Sequence, residues 1–463
     1  MQKAANVDLI NGEPSKMIFR FALPLILANL FQQLYNTVDT IIVGRFNGDD
    51  ALASVGTSFA VTMVMIAFAT GTGTGCSVLI SKRYGERNFS EVKTAVSTVL
   101  IFSLLFSAVI GAAGLIFSKP LLELLKTPQN IISDAESYLM IYSAGMPFMF
   151  LYNVQSSIFS SFGNSKTPLA LLIMSSLINI VLDLLFVGSF SMGVKGAAIA
   201  TLIAQGFSAS VSFILLIRSV YFKEYREYSY RHFSFNTLKQ MLSYAAVSVV
   251  QSSVTSVGMM MIQAVVNRFG SGALAGYTAA SKIDSFAIMP YLACSNALST
   301  FTAQNIGAGR QNRVSSGFKA CLKICIIMSL IEFALISAFH NQFLSLFMDI
   351  GTASQDAVKT GLSYMITMSF CYWIMGINSC QNGMLRGTGM LKILLANSMI
   401  GLIIRVIFAY TAVNISFIGV SSVWLSMPVG WTFSIFFCII AKRIVLKKHN
   451  QQNAYTNTNT KRQ

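Results

Sequence analysis

Long apolar runs alternate with short polar ones along almost the whole of this 463-residue chain. Twelve apolar segments stand out, at about 17–44, 51–81, 94–117, 135–161, 167–189, 195–218, 239–267, 273–304, 316–340, 357–384, 391–413 and 417–441. Each has the roughly 20 residues or more that a helix needs to cross the hydrocarbon core of a bilayer. The pattern predicts an all-α polytopic membrane protein with twelve transmembrane helices. Most connections are short. The exception is 219–238, which is polar, aromatic and charged, and lies at the middle of the chain. The expected organisation is an N-terminus at 1–16, an N-lobe of six helices at 17–218, an inter-lobe loop at 219–238 and a C-lobe of six helices at 239–441. A basic, then Asn/Thr/Gln-rich tail at 442–463 follows and reads as disordered. The first apolar run is too long for the core of a cleavable signal peptide.

Composition agrees with this pattern and narrows the class. Hydrophobic residues make up 54% and charged residues 11% of the chain, against about 25% charged in an ordinary soluble domain. That excludes a soluble enzyme of two or three domains. The net charge is nevertheless +16, and its distribution has a simple form. With the N-terminus in the cytoplasm, 25 of the 33 Lys and Arg fall in inner loops and tails. Six (Arg45, Lys119, Lys126, Lys195, Arg268 and Lys359) fall outside, and Lys282 and Arg405 lie within helices. This is the positive-inside asymmetry, and it puts both termini in the cytoplasm. No basic stripe remains to grip a nucleic acid. The seven cysteines are odd in number and mostly sit inside apolar runs, so no disulfide framework or metal motif is expected. His232, His340 and His449 lie in loops or at segment ends and do not converge, which argues against a membrane enzyme.

The halves resemble each other. VGRFNGDDALASV at 43–55 matches VNRFGSGALAGY at 266–277 with one gap, and YGERNFSEV at 84–92 matches IGAGRQNRV at 306–314. FGNSKTP at 162–168 pairs more weakly with RGTGMLK at 386–392, and VKGAAIAT at 194–201 with FIGVSSVW at 417–424, the offset staying near 222. Two parallel six-helix repeats in one chain suit alternating access better than a channel, which is usually assembled from separate subunits.

Within this frame, PLILANLFQQLYNTVDTIIVGRFNGDDALASVG in the first two helices, SKRYGERN after the second, NIVLDLLFVG and GVKGAAIATLIAQ resemble the multidrug and toxic compound extrusion (MATE) family. The resemblance covers nearly the whole chain. It implies two six-helix bundles opening as a V. It also implies a cation-coupled antiporter exporting amphipathic, often cationic compounds, coupled to H⁺ or Na⁺. A bacterial inner (plasma) membrane is the implied location.

Ionisable residues at membrane depth are costly, so each is a functional hypothesis. Asp39, Asp183, Lys282, Asp284, Glu332 and Arg405 are the candidates. At 1.5 Å per residue, Asp39, Asp183 and Thr201 all lie about 8–9 Å inside the outer boundary. Asn179 precedes Asp183 by four residues and Tyr35 precedes Asp39 by four, so each shares a helical face with its acid. Two close carboxylates in a low dielectric cannot both stay ionised cheaply, so the pair can take up and release a proton. The same oxygens, with the Asn179 carbonyl and Thr201 hydroxyl, also suit Na⁺. In the family branch with a first-helix Asp, the positions matching Asp39, Asn179, Asp183 and Thr201 form the N-lobe cation site. The plainer reading is a polar cluster that only fixes packing.

The C-lobe does not repeat the set. The repeat alignment sets Ile262 opposite Asp39 and Arg405 opposite Asp183, and Asp284 and Arg405 read as a buried ion pair. Glu332 stands alone in its helix. Pro24, Pro147, Pro290 and Pro428 are expected to bend their helices. GTGTG at 71–75 lacks the Lys-Ser/Thr of a phosphate loop and reads as close helix packing. Gln32, Asn153, Met63, Met174 and Asp284 are candidates for substrate contact, the thioethers because they adapt to varied shapes. The expected protein is a monomeric multidrug antiporter without a cofactor, in contact with membrane lipid and small amphipathic substrates. The alternatives are a flippase for a lipid-linked precursor and an integral membrane enzyme.

Overall fold

A computed structural model describes residues 7–223, 225–415 and 419–460. Lys3, Glu224, Phe417, Ile418, Lys461 and Arg462, used above in the charge count and repeat, lie outside the described residues. Every regular element among the described residues is helical. They are α1 (Pro14–Gly85), α2 (Phe89–Leu124), α3 (Ile132–Ala144), α4 (Met146–Ser161), α5 (Lys166–Asp183), α6 (Gly193–Ile217), α7 (Phe235–Val266), α8 (Gly270–Gly307), α9 (Gln311–Ser345), α10 (Gln355–Thr388), α11 (Leu391–Ala412) and α12 (Ser422–Thr460), with short π and 3₁₀ turns between some of them.

Among the described residues, the twelve apolar segments fall on these helices and the short turns adjoining them. α1 holds two, divided at Gly48, whose φ of 77° and ψ of −171° break the helical path. Segment 135–161 is divided into α3 and α4 at Gly145, and Pro147 begins α4 rather than bending it. Proline is favoured there because its missing N–H would be unsatisfied in any case. Pro24 lies inside α1, yet Gly48 is the residue of that helix with non-helical dihedrals. Nine helical stretches among the described residues are long and apolar enough to cross a membrane, and one of these, Phe235–Gly307, contains both α7 and α8. The protein is a multi-pass membrane protein. The helix α12 continues to Thr460, where composition alone pointed to disorder. Extending an existing helix is cheaper than nucleating one.

The repeat is visible in the backbone. Gly48 and Gly270 share nearly the same dihedrals, with φ of 77° and 84°. No heavy atom lies within 4 Å of where a Cβ would sit at either, so the conformation itself demands glycine. Gly85 and Gly307, also 222 apart, pack reciprocally. A Cβ on Gly85 would overlap the Gln304 carbonyl, and one on Gly307 would overlap the Lys82 carbonyl. Further along, positive φ recurs at Gly163 and Gly389 and at Gly193 and Gly419, now 226 apart. Four extra residues between 309 and 389 therefore change the alignment of the later helices. At 226, Asp183 corresponds to Ala409, and Arg405 corresponds to Asn179, correcting the pairing read from the sequence.

The chain forms two compact units, Met1–Ser253 with Asn296–Cys321, and Val254–Ser295 with Leu322–Gln463. In the first unit one apolar cluster joins Ile42, Val43, Ala51, Val187, Val194 and Ala197, with Val38, Tyr138 and Ile180 packed on it. This cluster holds α1, α3, α5 and α6 together around the acidic residues.

Candidate functional site

Tyr35 and Asp39 occupy consecutive turns of the first leg of α1. Asp183 is the last residue of α5, followed directly by a π-helical turn at Leu184–Ser189. Such turns are uncommon and recur at functional sites, because the wider ring redirects the side chains beside it. Thr201 is on α6. The structure brings all five sequence-predicted residues of this group together. Asp183 is fully buried, Asn179 is 1% exposed and Thr201 is buried, whereas Asp39 and Tyr35 are half-buried.

The side chain of Asn179 lies between Asp183 and Thr201. With its NH₂ turned to the carboxylate, Nδ2 donates to Asp183 Oδ2 at 2.7 Å, and Oδ1 accepts from Thr201 N at 3.1 Å and from Thr201 Oγ1 at 3.3 Å. Tyr35 Oη reaches Thr201 Oγ1 at 3.5 Å. The carboxyl groups of Asp39 and Asp183 are within hydrogen-bonding reach of each other. Two carboxyl groups can share such a bond only if one carries a proton. Asp39 Oδ1 and Asp183 Oδ1 are buried and have no donor among the described residues. A buried oxygen left without a donor is costly, so these two are the natural acceptors for a bound cation or proton.

Tyr138 and Tyr142 complete the surroundings and were not singled out in the sequence. Their rings stack at 6.1 Å between centroids, and Tyr138 faces both aspartates and Tyr35 closely enough to interact electrostatically. The available signal was their i, i+4 spacing, the same as that of Tyr35 and Asp39.

The five candidates for substrate contact are not gathered in the same way. Gln32, Met63 and Met174 are exposed, the methionines at 40% and 47%. Asn153 is half-buried and donates to its own helix at Met149 O, 2.8 Å away. Asp284 belongs to the second unit. There its Oδ1 accepts a 2.6 Å hydrogen bond from Tyr372 Oη, and no ion pair within 4.0 Å joins it to Arg405. Tyrosine hydroxyls, not the guanidinium, make the direct contacts to this carboxylate, and Arg405 acts on it at longer range through Coulomb attraction. Lys282, two residues earlier on α8, is exposed. Glu332, expected to stand alone, accepts a 2.6 Å bond from Tyr291 Oη. All seven cysteines are free thiols.

The family model described as MatE matches residues 24–185 and 248–411, most of both repeats. The chain belongs to the MatE family. This MatE protein is 28% identical to the probable multidrug resistance protein YpnP of Bacillus subtilis over 430 residues, 92% of this chain and 94% of the relative. It is 24% identical to the probable multidrug resistance protein NorM of Thermotoga maritima, covering 90% and 88%, and 24% identical to the FAD transporter of Shewanella oneidensis, covering 80% and 81%. A MATE crystal structure in the bent conformation superposes with a TM-score of 0.85 at 25% identity, covering 97% of this chain and 99% of that one. The outward-facing conformation of a multidrug resistance MATE transporter superposes with a TM-score of 0.86 at 25% identity, covering 96% and 99%. The MatE fold and membership of a multidrug efflux transporter family follow.

Proposed function

We propose that this MatE protein is a secondary antiporter. It exports amphipathic, cationic organic compounds in exchange for protons, with both termini in the cytoplasm of a bacterial inner membrane. The observation that carries the reading is the Asp39–Asp183 pair, two carboxyl groups in mutual reach with an orphaned oxygen each. Asn179 turns a donor toward Asp183 and engages its carbonyl with Thr201. A proton shared between the two carboxyl groups in mutual reach would satisfy both. The runner-up ion is Na⁺, bound by Asp39, Asp183, Asn179 and Thr201.

Antiport requires the proton and the organic compound to favour different states of the protein, and the coupling is reciprocal. Protonation removes the charge of the pair and with it the attraction for a cationic compound. Loss of the proton restores that attraction. The test uses inside-out vesicles, a fluorescent lipophilic cation and an imposed gradient of pH or of Na⁺, one at a time. The pH gradient is expected to drive uptake of the dye, and Asp183→Asn to abolish that uptake while folded protein remains in the membrane. Uptake driven by Na⁺ alone refutes the choice of ion. Full uptake by Asp183→Asn refutes the site.

A further inference from the structure

The first unit contains a cavity of about 700 Å³ that the proposed transport site does not use. Its walls come from α2 (Leu100, Leu104), α4 (Phe148, Leu151) and α6 (Phe213, Ile214). Leu104, Phe148, Phe213 and Ile214 are 39–58% exposed, so the cavity is a groove open along the side of the helices. One end is different in chemistry. Tyr221, Tyr230 and Ser97 line it. The inter-lobe loop closes this end by climbing α2, with Ser90 Oγ donating to Ser229 O, Arg231 N to Thr94 Oγ1 at 3.1 Å, and Ser234 N to Thr98 Oγ1 at 3.1 Å. Buried Lys93 anchors it, donating to Tyr225 O at 3.1 Å and Tyr228 O at 2.9 Å, beneath the Tyr230 ring at 4.5 Å.

The groove has the dimensions and polarity of half a membrane. Ala209 to Ile217 covers about 12 Å of α6 at 1.5 Å per residue. With Tyr221 and Tyr230 beyond it, the groove runs about 15–18 Å, close to half of the roughly 30 Å hydrocarbon core. Tyrosines mark its polar end, as they do at a membrane–water boundary. Arg218 follows Ile217 and Arg231 follows Tyr230 in the chain. Both are exposed, and neither is in an ion pair among the described residues. Two exposed cations thus adjoin, in the chain, residues that line an apolar slot one leaflet deep. Cations beside the cytoplasmic surface attract anionic headgroups.

We propose that this groove binds one anionic phospholipid of the cytoplasmic leaflet. An acyl tail lies along Leu104, Phe148 and Phe213, and the phosphate is held by Arg218 and Arg231. The assignment rests on the membrane orientation proposed above but not on the antiport reading, so it stands or falls separately from it.

The three tryptophans of the chain, Trp373, Trp424 and Trp431, are all in the second unit, and their quenching in the parent protein is the background subtracted from each variant. Ile214→Trp places a fluorophore in the groove. Ile440→Trp, at an exposed position late in α12, serves as the control. Each is reconstituted in phosphatidylcholine vesicles with a minor fraction of chain-brominated phosphatidylglycerol or chain-brominated phosphatidylcholine. The expected result is preferential quenching of Ile214→Trp by the anionic lipid. The implied preference is on the order of tenfold, the scale that two surface cations supply. No preference is expected at Ile440→Trp. Adding Arg218→Gln and Arg231→Gln should remove the preference while leaving quenching by brominated phosphatidylcholine unchanged, and circular dichroism checks that the variants are folded. Equal quenching by the two lipids in the groove overturns the proposal, because the groove then holds only bulk lipid. A preference that survives the arginine changes also overturns it. So does displacement of the brominated lipid by a lipophilic cation, which would make the groove a substrate site.

Discussion

Asn179 offers a direct measure of how the acid pair is held. Asn179→Leu keeps the volume close but removes both hydrogen-bonding ends. Asp183 Oδ2 then loses its 2.7 Å donor in a position with no exposure. A hydrogen bond to a charged group contributes about 1.5–3 kcal/mol, and stranding the buried partner adds to the loss. Thr201 Oγ1 keeps Tyr35 at 3.5 Å, so its share is smaller. The expected destabilisation is about 2–4 kcal/mol. In an Asp183→Asn background the carboxylate is absent, and the same change should cost about 1 kcal/mol, the worth of an ordinary neutral bond. The four proteins form a double-mutant cycle, read by reversible unfolding in mixed micelles of lipid and denaturing detergent. A coupling energy of about 1–3 kcal/mol is expected, since contacting residues couple on that scale. If the two changes add to within about 0.5 kcal/mol, as independent sites do, Asn179 does not act on Asp183 and the assigned geometry is wrong.

Other outcomes follow from single observations. Asp39→Asn should eliminate proton-driven dye uptake in inside-out vesicles while leaving expression and thermal unfolding close to the parent, because Asp39 is half-buried and contributes little packing. Gly276→Val should fail to give folded protein, since any Cβ there meets the Ala357 carbonyl. Gly309→Ala, where nothing lies within 4 Å and φ is 72°, should instead cost only about 1–2 kcal/mol of backbone strain, measured by the same unfolding assay. Lys93→Met leaves the Tyr225 and Tyr228 carbonyls without their cation, so limited proteolysis should cut the 225–234 loop faster than in the parent. At the N-terminus, partial burial pushes the Asp8 carboxyl up. Hydrogen bonds from the Asn11 side chain and from the Ile10 and Asn11 N–H groups, with Arg310 nearby, outweigh this and hold it below the usual carboxylate range. A depressed value means the turn is stabilised at neutral pH and loses that support as pH falls through the folded-state value. Hydrogen exchange at Ile10 and Asn11 should therefore rise at acid pH, and equally at neutral pH in Asp8→Asn.

Much of this molecule was legible in the chain alone. Apolar runs about 20 residues long have one stable form in a bilayer, the helix, because no water is present to satisfy an open backbone. The charge asymmetry and the recurrence of the Gly48 and Gly270 turns likewise need only one dimension to be seen. The level of Asp39, Asp183 and Thr201 was also readable, since a fixed rise converts sequence position into depth. What depth leaves open is azimuth and partner, which depend on helix rotation and on local irregularity. The π turn after Asp183, the orientation of the Asn179 amide and the stacking of Tyr138 on Tyr142 arise from packing among four helices. Similarly, two ionisable residues of opposite sign at comparable depth suggested that Asp284 pairs with Arg405. Tertiary contacts gave Asp284 its direct partner in Tyr372 and Glu332 its partner in Tyr291, with Arg405 acting on Asp284 only at longer range, because side-chain direction across helices sets which groups touch. The sequence alone thus determined the all-helical, multi-pass character of the chain and which acids its apolar runs carry. Only the packed structure decided which oxygens meet, because that depends on side-chain direction across helices far apart in the chain.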